Sequence, residues 1–197
     1  MIDNDPIARL QQDWQKAKIE GDANSNICIL STTDGGQAHA RVLVLRDIQK
    51  QGLLIFTHAS SPKWQQLENN SGYEVLLYWP TLELQYRIQG SWKKQLREPL
   101  QKAWSNKPYE AKLLDLLYQT HPESSEIPDR KFLEEKVAEL KMRYPQSEDI
   151  PFPDSARGVW LLPKRIEYYR LSTVDRLHHR YLYEKNQNQW TVKTLCP

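Results

Sequence analysis

The chain has 197 residues, of which 39% are hydrophobic and 26% are charged, a composition typical of a soluble folded protein. Its 27 Lys and Arg nearly balance its 25 Asp and Glu, so charge gives no reason to expect a nucleic-acid partner. Only two cysteines occur, without metal-type spacing, and neither the start nor any later stretch is apolar enough for a signal or membrane segment. We therefore expect a cytoplasmic protein with no membrane partner.

The first half of the chain predicts one helix followed by consecutive strands. Asp5 and Pro6 are typical of a helix start, and the apolar spacing that follows predicts a helix over about residues 5–20. Runs of Val, Ile, Leu, Phe and Thr separated by glycine turns predict hairpin strands. These strands cover residues 26–33, 38–48, 53–59, 73–80 and 82–92, with a short helix at 61–70 that begins at Ser61.

The second half predicts a helical insert over about residues 97–143 and then a return to strands at 157–171, 175–183 and 189–195. Strands do not alternate with crossover helices, which argues against a parallel sheet. Seven or eight closely spaced strands instead favour an antiparallel barrel. The predicted fold class is mainly β (α+β), in a single domain covering residues 1–197.

The segment DRLHHRYLY, Asp175 to Tyr183, raises the first functional question. If it is extended, Arg176, His178 and Arg180 point to one face of a strand. Such a row protects an exposed sheet edge or binds an anion. Two arginines flanking a histidine suit fork-type recognition of phosphate or carboxylate.

Seven glycines occur, and they form neither a GxGxxG motif nor a P-loop. A phosphate bound by this chain must therefore be held mainly by side chains. The five histidines lack zinc-type spacing and no GxSxG motif is present, so we expect neither a metal site nor a serine nucleophile.

Several cations stand where an anion would suit them, although each also has an ordinary explanation. Arg41 and Arg46 end an apolar strand and either serve a ligand across a bend or bulge, face a neighbouring chain, or extend into water. Lys63 opens a short helix, where an anion is favoured but a solvated lysine is common. Gln85 and Arg87, which share a strand face with Glu83, form a site only if the barrel exterior is covered there.

These motifs occur in an order that resembles the pyridoxamine 5′-phosphate oxidase family. The resemblance rests on RVLVLR, FTHASSPK, LLYWPTLELQYRIQG, PKRIEYYR, DRLHHRYLY and the terminal LCP, and it runs from about residue 26 to the end, with a gap in the middle. It implies an FMN-binding split β-barrel with flanking helices, in a homodimer that holds FMN at the subunit interface. It also implies an oxidase, acting in pyridoxine biosynthesis, in which a substrate carbon gives a hydride to flavin N5 and oxygen reoxidises the flavin to give peroxide.

The resemblance assigns roles to individual residues of this chain. The residues implied at the cofactor are Arg41, Val42, Leu43, Val44, Leu45, Arg46, Phe56, Thr57, Lys63, Gln85, Tyr169 and Arg180. Those implied at the substrate are Arg46, Lys107, Arg176, Leu177 and His178, with Arg176 and His178 as the catalytic pair.

The chain also departs from the family pattern. Pro62 replaces a phosphate-binding arginine, and Tyr169 replaces a tryptophan near the cofactor. Ala103, Lys107 and Ala111 stand where the family binds the substrate phosphate with Tyr, Arg and Ser, and a Gln-Ser pair at FMN has no counterpart. We therefore expect an FMN-dependent oxidase of an amine- or alcohol-bearing small molecule, for example a phosphorylated pyridine. The alternatives are a flavin carrier of the same fold and a dimeric structural protein without cofactor.

Overall fold

The computed structural model describes residues 5–70, 72–187 and 189–197. Among these residues it has five α-helices: α1 (Pro6–Ile19), α2 (Pro62–Asn69), α3 (Arg97–Ser105), α4 (Tyr109–Thr120) and α5 (Arg130–Arg143). Its eight strands are β1 (Ile27–Asp34), β2 (Gln37–Gln49), β3 (Gly52–His58), β4 (Tyr73–Trp79), β5 (Leu84–Lys94), β6 (Ala156–Arg170), β7 (His179–Asn186) and β8 (Gln189–Thr194). The predicted helices and strands are therefore present, with boundaries shifted by a few residues in most cases.

The strands form one sheet in the order β3-β2-β1-β4-β5-β6-β7-β8. An additional pairing of β3 with β6 closes six of the described strands into an antiparallel barrel, which confirms the predicted fold class. The β7–β8 hairpin continues the sheet beyond the barrel. Because every directly opposed pair in an antiparallel ladder shares one face, the register determines which side chains can meet.

Two glycines allow other strands to approach β6 closely. A Cβ atom on Gly90 of β5 would lie 2.0 Å from the carbonyl oxygen of Leu162, and one on Gly52 would lie 2.0 Å from that of Leu161. Real side chains do not reach such distances, so only glycine fits at either position.

The described chain divides into two compact units. The first contains residues 5–55, 69–93 and 160–197, apart from the residues that the structure does not describe, and the second contains Phe56–Glu68 and Lys94–Val159. In the first unit, the Asp5 side chain accepts hydrogen bonds from the backbone N–H groups of Ile7 and Ala8 and so caps α1 as predicted. The hydroxyl of Tyr86 donates to Asp13 at 2.5 Å and ties α1 to the sheet.

In the second unit the helices pack around their own core. Its buried members are Trp104, Leu113, Leu116 and Ile150. Partly buried residues of α5 and of the following segment, among them Leu140 and Phe152, pack against this cluster. The helical insert predicted at 97–143 is thus stabilised by apolar contacts of its own. Within the described residues, no helix is long and apolar enough to cross a membrane.

Candidate functional site

One face of the sheet in the first unit carries several of the predicted cofactor residues. Val42 of β2 lies opposite Ile29 of β1, which lies opposite Leu76 of β4, which lies opposite Arg87 of β5. Val42 is 64% exposed and Val44, two residues along the same face, is 44% exposed. Exposed valines in adjacent positions form an apolar strip that a planar ring or another chain can cover.

Gln85 extends this face toward β6. It lies opposite Tyr78, an exposed aromatic residue of β4, and it shares its side of β5 with Arg87. The prediction that Glu83 belongs to the same strand row is wrong. Pro80–Leu82 form a 3-10 turn and Glu83 adopts a left-handed backbone with φ 53°, so β5 begins only at Leu84.

Tyr169 and Arg180 complete the face at β6 and β7, where they lie directly opposite each other. The Arg180 guanidinium is oriented by Glu167, whose carboxylate accepts from Nε and lies 3.1 Å from both Nε and Nη2. A second donor of the same guanidinium reaches the carbonyl oxygen of Cys196 at 3.3 Å. The side chain is therefore held in position before any ligand is present.

Glu167 is the centre of an ion cluster that sequence reasoning missed. Its side chain is only 4% exposed, and besides Arg180 it lies 3.7 Å from Arg87 and 3.7 Å from Arg165. A buried carboxylate with three guanidinium partners is a strong organising element, because each partner offsets part of its desolvation. The available signal was a single acidic residue in PKRIEYYR, a stretch that otherwise carries three basic residues and no other acid.

A second carboxylate orders the neighbouring part of the face. Glu74 accepts hydrogen bonds from Arg87 Nε at 3.0 Å and from the amide of Gln89. Burial alone would raise the pKa of Glu74, but these hydrogen bonds outweigh it and the pKa lies below its usual value. The same hydrogen bond raises the pKa of Arg87.

The two arginines of RVLVLR have different environments. Arg41 donates to the carbonyl oxygen of Leu30 at 3.1 Å and to the hydroxyl of Thr32 at 2.7 Å, so it is tied to β1. Arg46 is exposed and stands at a β-bulge, where the register with β3 shifts between Leu45 and Asp47. Of the alternatives that the sequence left open, the structure contains the bulge.

The side chains of β2 are also divided between two faces. Leu45 is buried and Leu43, opposite the buried Cys28, is half-buried. Neither side chain is on the exposed strip with Val42 and Val44. Leu45, whose side chain is buried, can contact a cofactor only through its backbone.

The prediction that DRLHHRYLY is one strand is wrong, because β7 begins only at His179. Asp175 accepts from the Ser172 hydroxyl at 2.6 Å and from the Leu177 N–H at 3.0 Å, which closes a turn. These two hydrogen bonds lower the pKa of the Asp175 carboxyl. Arg176 then adopts a left-handed backbone with φ 59°, so it does not line up with Arg180 at period two.

The loop nevertheless brings His178 to the edge of the face described above. Its ring lies 5.4 Å from that of Tyr169, and its Nδ1 accepts from the Ser172 N–H at 3.0 Å. With Nδ1 engaged as an acceptor, Nε2 carries the ring proton. Arg176 and Leu177 are both exposed on the loop.

In the second unit, Lys63 is buried and paired rather than solvated. Its Nζ lies 2.5 Å from a carboxylate oxygen of Glu123, and its side chain is 7% exposed. Nearby in the sequence, the hydroxyls of Thr57 and Ser61 are hydrogen-bonded at 2.8 Å, and Ser61 also donates to the carbonyl of His58. Phe56 is half-buried.

Burial lowers the pKa of the His58 ring, which is therefore held neutral at neutral pH.

Lys107, also in the second unit, is neutralised by its own chain. Its Nζ donates to Asp115 at 2.6 Å, and the same carboxylate oxygen accepts from Trp104 Nε1 at 2.7 Å. Ala103 is exposed on α3 and Ala111 is half-buried on α4, so neither position offers a polar side chain to a phosphate. Within the residues described, no group of three or more His, Cys, Asp and Glu side chains could hold a metal ion.

Comparison with known proteins identifies the family. A profile described as pyridoxamine 5′-phosphate oxidase matches residues 16–144. A pyridoxine/pyridoxamine 5′-phosphate oxidase of Rhodopirellula baltica is 30% identical, covering 98% of this chain and 88% of the relative. One from Ralstonia pickettii is 32% identical over 100% of this chain and 91% of the relative. The chain belongs to the pyridoxamine 5′-phosphate oxidase family.

Two solved structures have the same fold. PhzG from Burkholderia lata, in complex with tetrahydrophenazine-1-carboxylic acid, aligns with a TM-score of 0.87 at 26% identity, covering 99% of this chain and 94% of PhzG. A pyridoxamine 5′-phosphate oxidase-related, FMN-binding protein from Nostoc punctiforme aligns with a TM-score of 0.76 at 18% identity, covering all of both chains. The fold of this chain is therefore shared with a protein solved in complex with tetrahydrophenazine-1-carboxylic acid and with an FMN-binding protein.

Proposed function

We propose that this protein is an FMN-dependent oxidase that oxidises an amine- or alcohol-bearing small molecule with oxygen as the acceptor. The observation that carries the proposal is the exposed face of the first unit, on which Gln85, Tyr169 and Arg180 share a sheet surface with exposed Val42 and Val44. Family membership supports the same reading.

The side chains present on this face fit a flavin. Exposed valines suit the flat apolar face of a ring system, the amide of Gln85 can donate to and accept from its polar edge, and Arg180 suits an anion. Thr57 and Lys63 belong to the second unit, and the family resemblance is what proposes their side chains as donors to the cofactor phosphate. FMN held by these residues would supply a hydride acceptor that oxygen can reoxidise.

The loop before β7 provides the proposed substrate contacts. Arg176 offers a guanidinium to an anionic substrate group, Leu177 offers an apolar contact, and His178 offers its Nε2–H as a hydrogen-bond donor. The hydrogen bond from Ser172 to His178 fixes that tautomer and ring orientation. These residues would orient the substrate carbon for hydride transfer. Arg46, exposed at the bulge, is proposed to contact both cofactor and substrate.

The Lys107–Asp115 pair favours one class of substrate. Lys107 is paired at 2.6 Å with Asp115, whose side chain is only 14% exposed and also accepts a hydrogen bond from Trp104, so this carboxylate is held in place more firmly than one that borders water. The pair therefore offers little charge to a substrate phosphate, and Ala103 and Ala111 offer none. This supports an unphosphorylated substrate, such as a reduced ring carboxylic acid of the kind bound by PhzG, over pyridoxamine phosphate. Pyridoxamine phosphate remains the substrate named for the relatives.

Dimerisation is part of the same proposal. The exposed side chains of Val42, Val44 and Tyr78 lie on one face of the sheet, the valines on β2 and the tyrosine on β4, and a second copy of the chain covering them would remove that surface from water. Sedimentation should therefore give a dimer. A monomer that binds FMN with full affinity would contradict the covered face.

The cofactor proposal is tested by titrating purified protein with FMN. We expect flavin fluorescence quenching, and Arg180→Ala should weaken FMN affinity by about 1.5–3 kcal/mol, the usual contribution of a hydrogen bond to a charged group. Arg170→Ala, at the exposed end of β6, is the matched control. Unchanged affinity in the Arg180 variant would show that this side chain does not reach the cofactor.

The catalytic proposal is tested by incubating the loaded protein in air with pyridoxamine phosphate or with a reduced tricyclic carboxylic acid. Peroxide together with an aldehyde or an aromatised ring is the expected product. Bound FMN without turnover of either compound would favour the flavin carrier over the oxidase.

A further inference from the structure

The Lys63–Glu123 pair of the second unit is unexpected for a lysine assigned to a phosphate. The two side chains approach to 2.5 Å, and Lys63 is almost fully buried. A carboxylate at this distance accepts from one of the three N–H donors of the lysine and cancels most of the electrostatic field of the ammonium group. An incoming phosphate would therefore meet a neutral pair and not a free cation.

Glu123 lies in a turn that directs its carboxylate at Lys63, while its side chain remains close to solvent. The Ser125 N–H donates to the Pro122 carbonyl at 2.9 Å, and Ser124 adopts a left-handed backbone with φ 69°. This turn presents the carboxylate to α2. The Glu123 side chain is 36% exposed, so it already borders water and has room to rotate away from Lys63.

We propose that Glu123 occupies the place of the cofactor phosphate at Lys63, and that this competition determines how strongly the protein prefers FMN over riboflavin. The inference rests on the proposed function. A phosphate carries more charge than a carboxylate and accepts more hydrogen bonds, so it can displace Glu123, but part of its binding free energy offsets the loss of the existing pair. Riboflavin, which lacks the phosphate, leaves the Lys63–Glu123 pair intact.

Removing the carboxylate charge should therefore affect one flavin and not the other. In Glu123→Gln we expect FMN affinity to rise about tenfold, the change that 1.4 kcal/mol produces, with riboflavin affinity unchanged. Lys63→Gln should do the opposite and bring the two affinities together. Glu126→Gln is the matched control, because Glu126 lies in the same loop and is exposed.

Fluorescence titration with FMN and with riboflavin measures all four proteins, and Glu123→Ala provides a second variant if the glutamine protein does not fold. Equal changes for both flavins, or no change in the ratio of their affinities, would overturn the role of Glu123 while leaving the cofactor assignment intact. If none of the proteins binds either flavin, the proposed function itself fails, and the inference fails with it.

Discussion

The most informative single perturbation is the removal of the charge at Glu167. This carboxylate is buried, and three arginines approach it at 3.1 to 3.7 Å. Glu167→Gln keeps the shape but leaves the guanidiniums without their shared anion. Breaking a buried ion pair from one side costs about 3–5 kcal/mol, and we expect about 3 kcal/mol because the arginines remain roughly one-third exposed and can be rehydrated.

Urea denaturation followed by circular dichroism measures this loss, and thermal unfolding should show a melting temperature lower by roughly 6–12 °C for a chain of this size. Glu184→Gln is the control, because Glu184 lies on the neighbouring strand in an exposed pair with Lys193 and should change the melting temperature little. A double-mutant cycle with Arg180→Gln would give the coupling of that pair directly. If Glu167→Gln is no less stable than Glu184→Gln, the cluster does not organise the face.

Three further outcomes follow from local geometry. Burial raises the pKa of Cys28 to about 12, so a thiol reagent at pH 8 should label only the exposed Cys196 in the folded protein and both cysteines in urea. Gly90→Ala should destabilise by about 1–3 kcal/mol because its Cβ meets the backbone of β6, whereas Gly72→Ala, with nothing within 4 Å, should not. The pKa of the Asp175 carboxyl is lower in the folded protein than its ordinary value of 3.8, so the ionised carboxylate stabilises the turn above pH 3.8. This stabilisation should be lost as the pH falls through the lowered pKa, and the NMR signal of the Leu177 amide, which donates to Asp175, would report the loss.

Most of the fold could be predicted from the sequence because its strands are long and apolar and its turns carry glycine or proline. The prediction failed at residues 175–178, where the polar stretch has strand-like alternation. There the Asp175 side chain bonds to the backbone two residues on, and this local turn is more favourable than extending the ladder. Alternation alone does not reveal such a competition.

The site was only partly predictable, for a different reason. The position of Lys63 at a helix start and the family resemblance at Lys107 indicated that both could bind anions, and both lysines are placed in the second unit with restricted side chains. Their partners, Glu123 and Asp115, lie 60 and 8 positions away and carry no motif. Ion pairs between distant residues depend on the tertiary fold, and so a pattern read along the chain does not show them.

The bulge at Arg46 has a consequence for how the chain can change length. Leu45 and Ile48 are both buried although they are three positions apart, which is possible only because one extra residue resets the alternation of β2. Deleting Arg46 would remove the bulge and restore regular alternation, with Leu45 still opposite Ile55 and Ile48 still opposite Leu53, so both side chains would stay on the buried side. Loss of one residue should therefore be tolerated at the bulge, whereas one residue more or fewer elsewhere in β2 would move buried side chains to the exposed face. Longer insertions in related chains should collect in loop segments such as Ser172–His178.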